Sequence, residues 1–215
     1  MGTTPLHVSH RKPIAFAILT TLALTACRGP SAPEAPAART PVTAERLLNA
    51  DKEPGQWMMD GRNYTAQRFS PLDQINEQNV SQLGIAWYHD LDTFRVVEAT
   101  PLAIDGVIYN ISAWNITTAY DAVTGKVLWT YDPQVPREWG RYACCEPVSR
   151  GLAAWKDSII IATLDGRLIS LDMATGQPRW SVQTFEKDMP YSITGAPRVF
   201  DGRVVVGNGG ADLGV

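Results

Sequence analysis

A repeated segment is the feature of this sequence that most restricts its fold. Asp121-Ala-Val-Thr-Gly125-Lys-Val-Leu-Trp129 matches Asp172-Met-Ala-Thr-Gly176-Gln-Pro-Arg-Trp180, with Asp, Thr, Gly and Trp aligned at a constant offset. Leu83-Gly-Ile-Ala-Trp87 is a partial copy upstream. A period of about 40–50 residues is typical of proteins that stack similar supersecondary units against one another.

Apolar runs that contain a turn acid separate the copies of this repeat. They are Thr100-Pro-Leu-Ala-Ile-Asp105-Gly-Val-Ile-Tyr, Gly151-Leu-Ala-Ala-Trp-Lys-Asp157-Ser-Ile-Ile-Ile and Ala196-Pro-Arg-Val-Phe-Asp201-Gly-Arg-Val-Val-Val. Runs of this kind predict β-hairpins, most strongly where Asp-Gly forms the turn. The sequence therefore predicts an all-β fold, a β-propeller of four-stranded blades, of which this chain covers roughly two to three.

The repeat itself predicts two local features of each blade. Its Asp and Gly are expected to form the tight turn between the outer strands. Its tryptophan, at Trp87, Trp129 and Trp180, is expected to pack against the neighbouring blade and not to bind a cofactor. Because these copies are too few to close a ring of blades, we expect the chain to be a segment of a longer protein.

The first residues predict export and a lipid anchor. Arg11 and Lys12 precede an apolar run over residues 14–26 that is too short to span a bilayer comfortably. The run ends in Leu24-Thr25-Ala26-Cys27, which resembles the bacterial lipoprotein box. We therefore predict a lipoprotein signal peptide over 1–26, lipidation of Cys27 and a periplasmic protein held to a membrane. An ordinary cleaved signal peptide is the alternative.

Composition sets the remaining boundaries and excludes some functions. Residues 27–50 are predicted to form an Ala/Pro-rich tether, with a short capped helix over 43–50, and the propeller domain is predicted over 51–215. With 22 acidic and 19 basic residues and a net charge of −3, the chain gives no reason to expect nucleic acid as a partner. Three histidines cannot form a His-rich metal site.

The repeat resembles the tryptophan-docking motif of the pyrroloquinoline quinone (PQQ)-dependent alcohol dehydrogenases, the quinoproteins. Residues 59–76 resemble that family's opening segment, and residues 132–154 resemble its vicinal-cysteine segment. The adjacent Cys144 and Cys145, followed by Ser149-Arg-Gly151, are the most specific part of the match. The resemblance implies an eight-bladed propeller in the whole protein. It also implies oxidation of alcohols to aldehydes with PQQ and Ca²⁺ in the periplasm.

The adjacent cysteines also carry information of their own. The Cα atoms of neighbouring residues lie about 3.8 Å apart, whereas disulfides favour roughly 4.4–6.8 Å, so a bond between Cys144 and Cys145 would be strained. Strained disulfides are the labile or functional ones. Two buried free thiols are the alternative, which predicted export to an oxidising compartment makes less favourable. The resemblance implies a disulfide that forms one face of the cofactor slot.

The resemblance also assigns further site residues. It implies cofactor contacts from the residues Glu98, Cys144, Cys145, Arg150, Thr194, Gly210 and Ala211, and metal ligation by Asp212. Asp212 stands where the family usually has Glu, so its side chain is one methylene shorter. The alternatives for the polar residues are ordinary surface or turn roles: a surface Arg, a solvated loop Glu, a turn Thr and a turn Asp.

The resemblance leaves part of the machinery outside this sequence. The catalytic base is expected beyond Val215, and any haem c would belong to a further carboxy-terminal domain. The expected partners are a small alcohol and a cytochrome or other electron acceptor. A non-catalytic propeller lipoprotein that assists outer-membrane protein assembly is the alternative function, because it has similar repeats and a similar anchor. A sugar-oxidising quinoprotein is a closer alternative.

Overall fold

The computed structural model describes residues 39–143 and 145–210, and β-strands dominate them. One α-helix, α1 (Ala44–Leu48), precedes the strands, and the short 3₁₀ helices are Ala50–Lys52, Val80–Gln82, Ala113–Asn115 and Arg137–Tyr142. The strands are β1 (Leu102–Ile104), β2 (Val107–Ile111), β3 (Thr117–Asp121), β4 (Val127–Tyr131), β5 (Ala153–Trp155), β6 (Ser158–Ala162), β7 (Arg167–Asp172), β8 (Pro178–Gln183), β9 (Arg198–Phe200) and β10 (Arg203–Val205).

The strands form consecutive antiparallel sheets, as propeller blades do. Blade 1 has the order β1-β2-β3-β4, and blade 2 has the order β5-β6-β7-β8. β9 and β10 form a third hairpin. The predicted all-β fold with four-stranded blades is therefore confirmed.

The hairpins form where the sequence predicted them, and the backbone explains why. The turn between β1 and β2 has Asp105 at φ 47° and Gly106 at φ 77°, and the turn between β9 and β10 has Asp201 at φ 47° and Gly202 at φ 71°. Two consecutive residues with positive φ match the twist of the flanking strands, and Asp-Gly adopts this conformation at little cost.

The repeated Asp-x-x-Thr-Gly segment forms the turn between the two outer strands of each blade. The Asp121 carboxylate accepts hydrogen bonds from the Thr124 amide and hydroxyl, both at 2.7 Å. These bonds lower the pKa of Asp121, and the bond from the Thr124 hydroxyl has the largest effect. Asp172 accepts the equivalent bonds from Thr175 in blade 2. The same local chemistry therefore closes both blades.

Tryptophans dock onto the glycines of these turns. A Cβ built on Gly176 would lie 2.6 Å from the Trp129 ring, and one built on Gly125 would lie 2.5 Å from the Trp87 ring. Each indole N–H also donates to the carbonyl that follows the turn Asp, at 3.2 Å for Trp129 and 3.0 Å for Trp87. Docking is confirmed for these two. Trp180 is 42% exposed, and its docking stays a prediction.

The amino-terminal boundary of the domain differs from the prediction. The capped helix is confirmed as α1, with the Thr43 side chain accepting a hydrogen bond from the Arg46 amide. The tether, however, does not extend to residue 50, because Val42, Leu47 and Ala50 are buried in the main apolar core. The Val42 backbone also pairs with that of Lys156 beside β5. Residues 40–50 therefore belong to the folded domain.

The predicted signal peptide and Cys27 lie outside the described residues. Within the described ranges, no helix is long and apolar enough to cross a membrane.

Candidate functional site

Backbone hydrogen bonds bring three distant segments together just before β1, just before β5 and shortly before β9. Thr100 and Gly151 form a parallel bridge, and the Thr100 amide donates to the Arg150 carbonyl at 3.1 Å. The Arg150 amide in turn donates to the Thr194 carbonyl at 2.9 Å. Because each segment leads towards the first strand of its own sheet, stacking of the sheets places the three segments side by side.

Three of the predicted site residues meet there. The Nη2 of Arg150 lies 3.0 Å from the Oε2 of Glu98, and its Nη1 donates to the Thr194 hydroxyl at 2.6 Å. The Arg150 and Glu98 side chains keep 45% and 34% of their surface exposed. A guanidinium carries five N–H donors, so Arg150 can still bind a planar carboxylate. The cluster thus suits the polar edge of a flat polycarboxylate such as PQQ.

The cysteine segment lies next to this cluster along the chain. Cys145 is exposed, and Cys144 lies outside the described residues. The following residue, Glu146, has a positive φ of 89°, and its carboxylate forms an ion pair with Arg95 at 3.0 Å. The Trp114 amide donates to the Pro147 carbonyl at 2.8 Å. Contacts from other parts of the chain therefore hold the segment that carries the cysteines.

An open cavity of about 640 Å³ adjoins this segment. Its walls include Ala143 and Glu146, on either side of the cysteines, together with Arg95, Trp114 and Arg137. The Arg137 guanidinium lies 4.3 Å from the centre of the Trp114 ring. Sequence reasoning missed these last three residues: Arg95 and Trp114 belong to no recognised motif, and Arg137 was given no role within the 132–154 segment.

Gly210 packs tightly against the segment that leads to Thr194. It has φ 117°, and a Cβ there would lie 2.7 Å from the Pro190 carbonyl oxygen and 3.0 Å from the Tyr191 ring. The preceding Gly209 exchanges backbone hydrogen bonds with Ser192 at 2.8 and 3.2 Å. A glycine is therefore required at 210.

Two further predicted residues, Ala211 and Asp212, lie outside the described residues. Among the residues that the structure describes, no group of three or more His, Cys, Asp or Glu could hold a metal ion. The predicted metal ligand, Asp212, is not among those residues.

Comparison with known proteins agrees with this geometry. A family model described as "PQQ: Glucose/ethanol/alcohol dehydrogenase, beta-propeller domain" matches residues 57–213. The quinohemoprotein alcohol dehydrogenase ADH IIB of Pseudomonas putida is 55% identical over 161 residues, which are 75% of this chain and 23% of that protein. The 1-butanol dehydrogenase (cytochrome c) of Thauera butanivorans is 48% identical over 162 residues, again 75% of this chain and 23% of that protein.

A solved structure of quinohemoprotein alcohol dehydrogenase ADHIIG from Pseudomonas putida HK5 is also similar, with a TM-score of 0.78 and 51% identity. The alignment covers 81% of this chain and 26% of that one. The chain spans about a quarter of the length of the curated relatives named above. Since the family model matches most of its residues, the chain belongs to the PQQ β-propeller family of glucose, ethanol and alcohol dehydrogenases.

Proposed function

We propose that this chain forms part of the cofactor site of a PQQ-dependent alcohol dehydrogenase. The cluster of Glu98, Arg150 and Thr194 carries the proposal, because three separate segments converge to build it and it retains exposed hydrogen-bond donors. When bound, PQQ supplies the acceptor for the two electrons and two protons that leave an alcohol as it becomes an aldehyde.

Each residue of the cluster has a distinct part in binding. Arg150 donates hydrogen bonds to a cofactor carboxylate, and Glu98 holds the guanidinium in place through their ion pair. The Thr194 hydroxyl accepts from Arg150, so its own proton is available to the quinone edge. Cys144 and Cys145, joined by a disulfide, form one face of the slot.

Metal binding in this proposal rests on the Gly210-Ala211-Asp212 segment. Gly210 and Ala211 would contact the cofactor, and Asp212 would contribute a carboxylate to Ca²⁺, which prefers several hard oxygen ligands. The shorter side chain of Asp favours fewer metal contacts than the family's Glu makes.

A small alcohol is the substrate and a cytochrome is the acceptor, in keeping with the names of the relatives. Any haem c belongs to a further domain. Export and lipidation of Cys27 place the protein on the periplasmic side of a membrane, and the mass of its mature amino-terminal peptide tests this. An assembly scaffold would have no use for the Glu98–Arg150–Thr194 cluster, which favours the enzyme.

Binding of PQQ to the intact protein tests the proposed function. Hydrogen bonds to charged groups contribute about 1.5–3 kcal/mol, so Arg150→Ala should weaken PQQ binding about 10- to 100-fold. Arg150→Lys should recover part of the loss, because a lysine keeps the charge but not the planar fork. The dissociation constant is measured by titration with and without Ca²⁺, and alcohol-dependent dye reduction gives the activity.

A matched control is Arg203→Ala, which removes an exposed arginine paired with Asp201 on the third hairpin. It should leave PQQ binding unchanged. Equal affinities in the parent and the Arg150→Ala variant would contradict the assigned role of Arg150. A parent that binds no PQQ and oxidises no alcohol would refute the function.

A further inference from the structure

Two ion pairs of opposite polarity join the segment of residues 95–100 to the segment of residues 146–151. Arg95 pairs with Glu146 at 3.0 Å, and Glu98 pairs with Arg150 at 3.0 Å. The first segment thus presents a cation and then an anion, whereas the second presents an anion and then a cation. The sequence analysis assigned no role to either residue of the first pair.

The polarity of the two pairs matches the parallel direction of the segments. Beyond the second pair, Thr100 and Gly151 form the parallel bridge, so three consecutive contacts run in the same direction. Reversing the direction of one segment, so that Arg95 faced Arg150, would bring Glu98 next to Glu146. Like charges in contact are unfavourable, so the charge pattern favours the parallel direction over its reverse.

The backbone at Glu146 explains why this alignment needs support. Its φ of 89° is uncommon for a residue other than glycine and persists only where the surroundings hold it. Its carbonyl accepts from the Val148 amide at 2.8 Å within the segment. The ion pair with Arg95 is the contact by which the Glu146 side chain is tied to the segment that carries Glu98.

We propose that Arg95 and Glu146 are positioning residues that keep the 145–150 segment aligned, so that Arg150 stays opposite Glu98 and Thr194. The pair acts on the cofactor through Arg150 and touches no reacting atom. This inference rests on the proposed function for its effect on PQQ, while its effect on the segment itself does not depend on any cofactor.

Amide hydrogen exchange in the intact, cofactor-free protein measures the effect on the segment. The pair is partly exposed, with side-chain exposures of 55% for Arg95 and 38% for Glu146. An exposed ion pair contributes up to about 1 kcal/mol, so Arg95→Ala and Glu146→Ala should each speed exchange in peptides covering 145–150 about two- to fivefold. Swapping the charges, with Arg95→Glu and Glu146→Arg together, should return exchange towards the parent rate.

The control is again Arg203→Ala, since the Arg203–Asp201 pair is also exposed but lies on the β9–β10 hairpin. It should leave exchange over 145–150 unchanged. Exchange in peptides from β2 and β6 shows whether any variant disturbs the blades as a whole. Unchanged exchange over 145–150 in both single variants would overturn the proposal.

The dissociation constant for PQQ separates positioning from direct binding. If the pair positions Arg150, both single variants should weaken binding by a similar factor of about two to five, and the charge swap should restore it. A different outcome would identify Arg95 as a direct ligand of PQQ: Arg95→Ala weakens binding, Glu146→Ala has no effect and the charge swap does not restore affinity. This outcome would overturn the proposal. If the parent protein binds no PQQ, the proposed function is refuted but the positioning role is not. Amide hydrogen exchange over 145–150 then decides whether Arg95 and Glu146 hold the segment.

Discussion

A methyl group added at Gly176 measures how strongly blade 1 and blade 2 depend on tryptophan docking. Gly176→Ala places a Cβ 2.6 Å from two atoms of the Trp129 indole, a separation that real Cβ atoms do not tolerate. The ring is 8% exposed and its N–H is bound to the Met173 carbonyl, so it cannot move away without breaking buried contacts. We therefore expect the substitution to separate the blades partially.

The magnitude has two sources. Gly176 has φ +71°, and an L-residue in the left-handed region costs about 1–2 kcal/mol. Forcing extra volume into a well-packed contact costs about 1–3 kcal/mol more. The total destabilisation should therefore be about 2–5 kcal/mol. Gly106→Ala is the matched control, because Gly106 has φ +77° and no atom within 4 Å of the added Cβ. Its expected cost is the backbone cost alone, about 1–2 kcal/mol.

Urea unfolding of the intact protein, monitored by tryptophan fluorescence, gives the free energy of unfolding of each variant. The comparison holds provided that the slope of this free energy against urea concentration is unchanged. Amide exchange in β7 and β8 localises the loss. The informative quantity is the difference between Gly176→Ala and Gly106→Ala, which should be about 1–3 kcal/mol. Equal destabilisation by the two substitutions would refute the docking contact as a source of stability.

Two further predictions concern contacts between and within the blades. Asn115 is fully buried and joins blade 1 to the β6–β7 turn, because its side-chain amide donates to the Ala162 carbonyl at 3.1 Å and accepts from the Leu164 amide at 3.0 Å. Asn115→Ala should therefore lower the free energy of unfolding, measured in urea, by about 1–3 kcal/mol. A loss below about 0.5 kcal/mol would contradict this. Burial raises the pKa of Asp172, but its hydrogen bonds, first the one from Arg179, outweigh burial and lower the pKa overall. The ionised carboxylate therefore stabilises the fold above pH 3.8, and this contribution should be lost as the pH falls below that value. In thermal melts, the melting temperature of Asp172→Asn should fall less on acidification than that of the parent.

Sequence reasoning predicted the features that local chemistry determines. The Asp-Gly hairpins and the Asp121-to-Gly125 turn follow from residues within a few positions of one another, and the docking of Trp129 follows from the repeat. It failed at the amino-terminal boundary, because the Ala/Pro-rich composition before residue 40 obscured the few apolar side chains of 40–50. Val42 and Leu47 are isolated in sequence, and only the assembled core shows that they are buried.

The ion pair between Arg95 and Glu146 could not be predicted for a different reason. It depends on how the segment before blade 1 aligns with the segment before blade 2, and neither residue belongs to the repeated Asp-x-x-Thr-Gly-x-x-x-Trp motif. The proximity of Glu98, Arg150 and Thr194 was expected only from resemblance, whereas the structure gives its physical cause. Backbone bonds between successive segments place equivalent positions of neighbouring repeats side by side.

This arrangement links the candidate site to the packing between the sheets. Glu98 precedes blade 1, Arg150 precedes blade 2 and Thr194 precedes the third hairpin, so neither of the two contacts that Arg150 makes lies within a single blade. The Trp129 ring of blade 1 packs against Gly176 in the β7–β8 turn of blade 2, and this contact joins the same two blades. The cluster can therefore form only when the blades are docked. A substitution such as Gly176→Ala, remote from the site in sequence, should loosen the Glu98–Arg150 pair and weaken PQQ binding in proportion to the docking it removes, whereas Gly106→Ala should not.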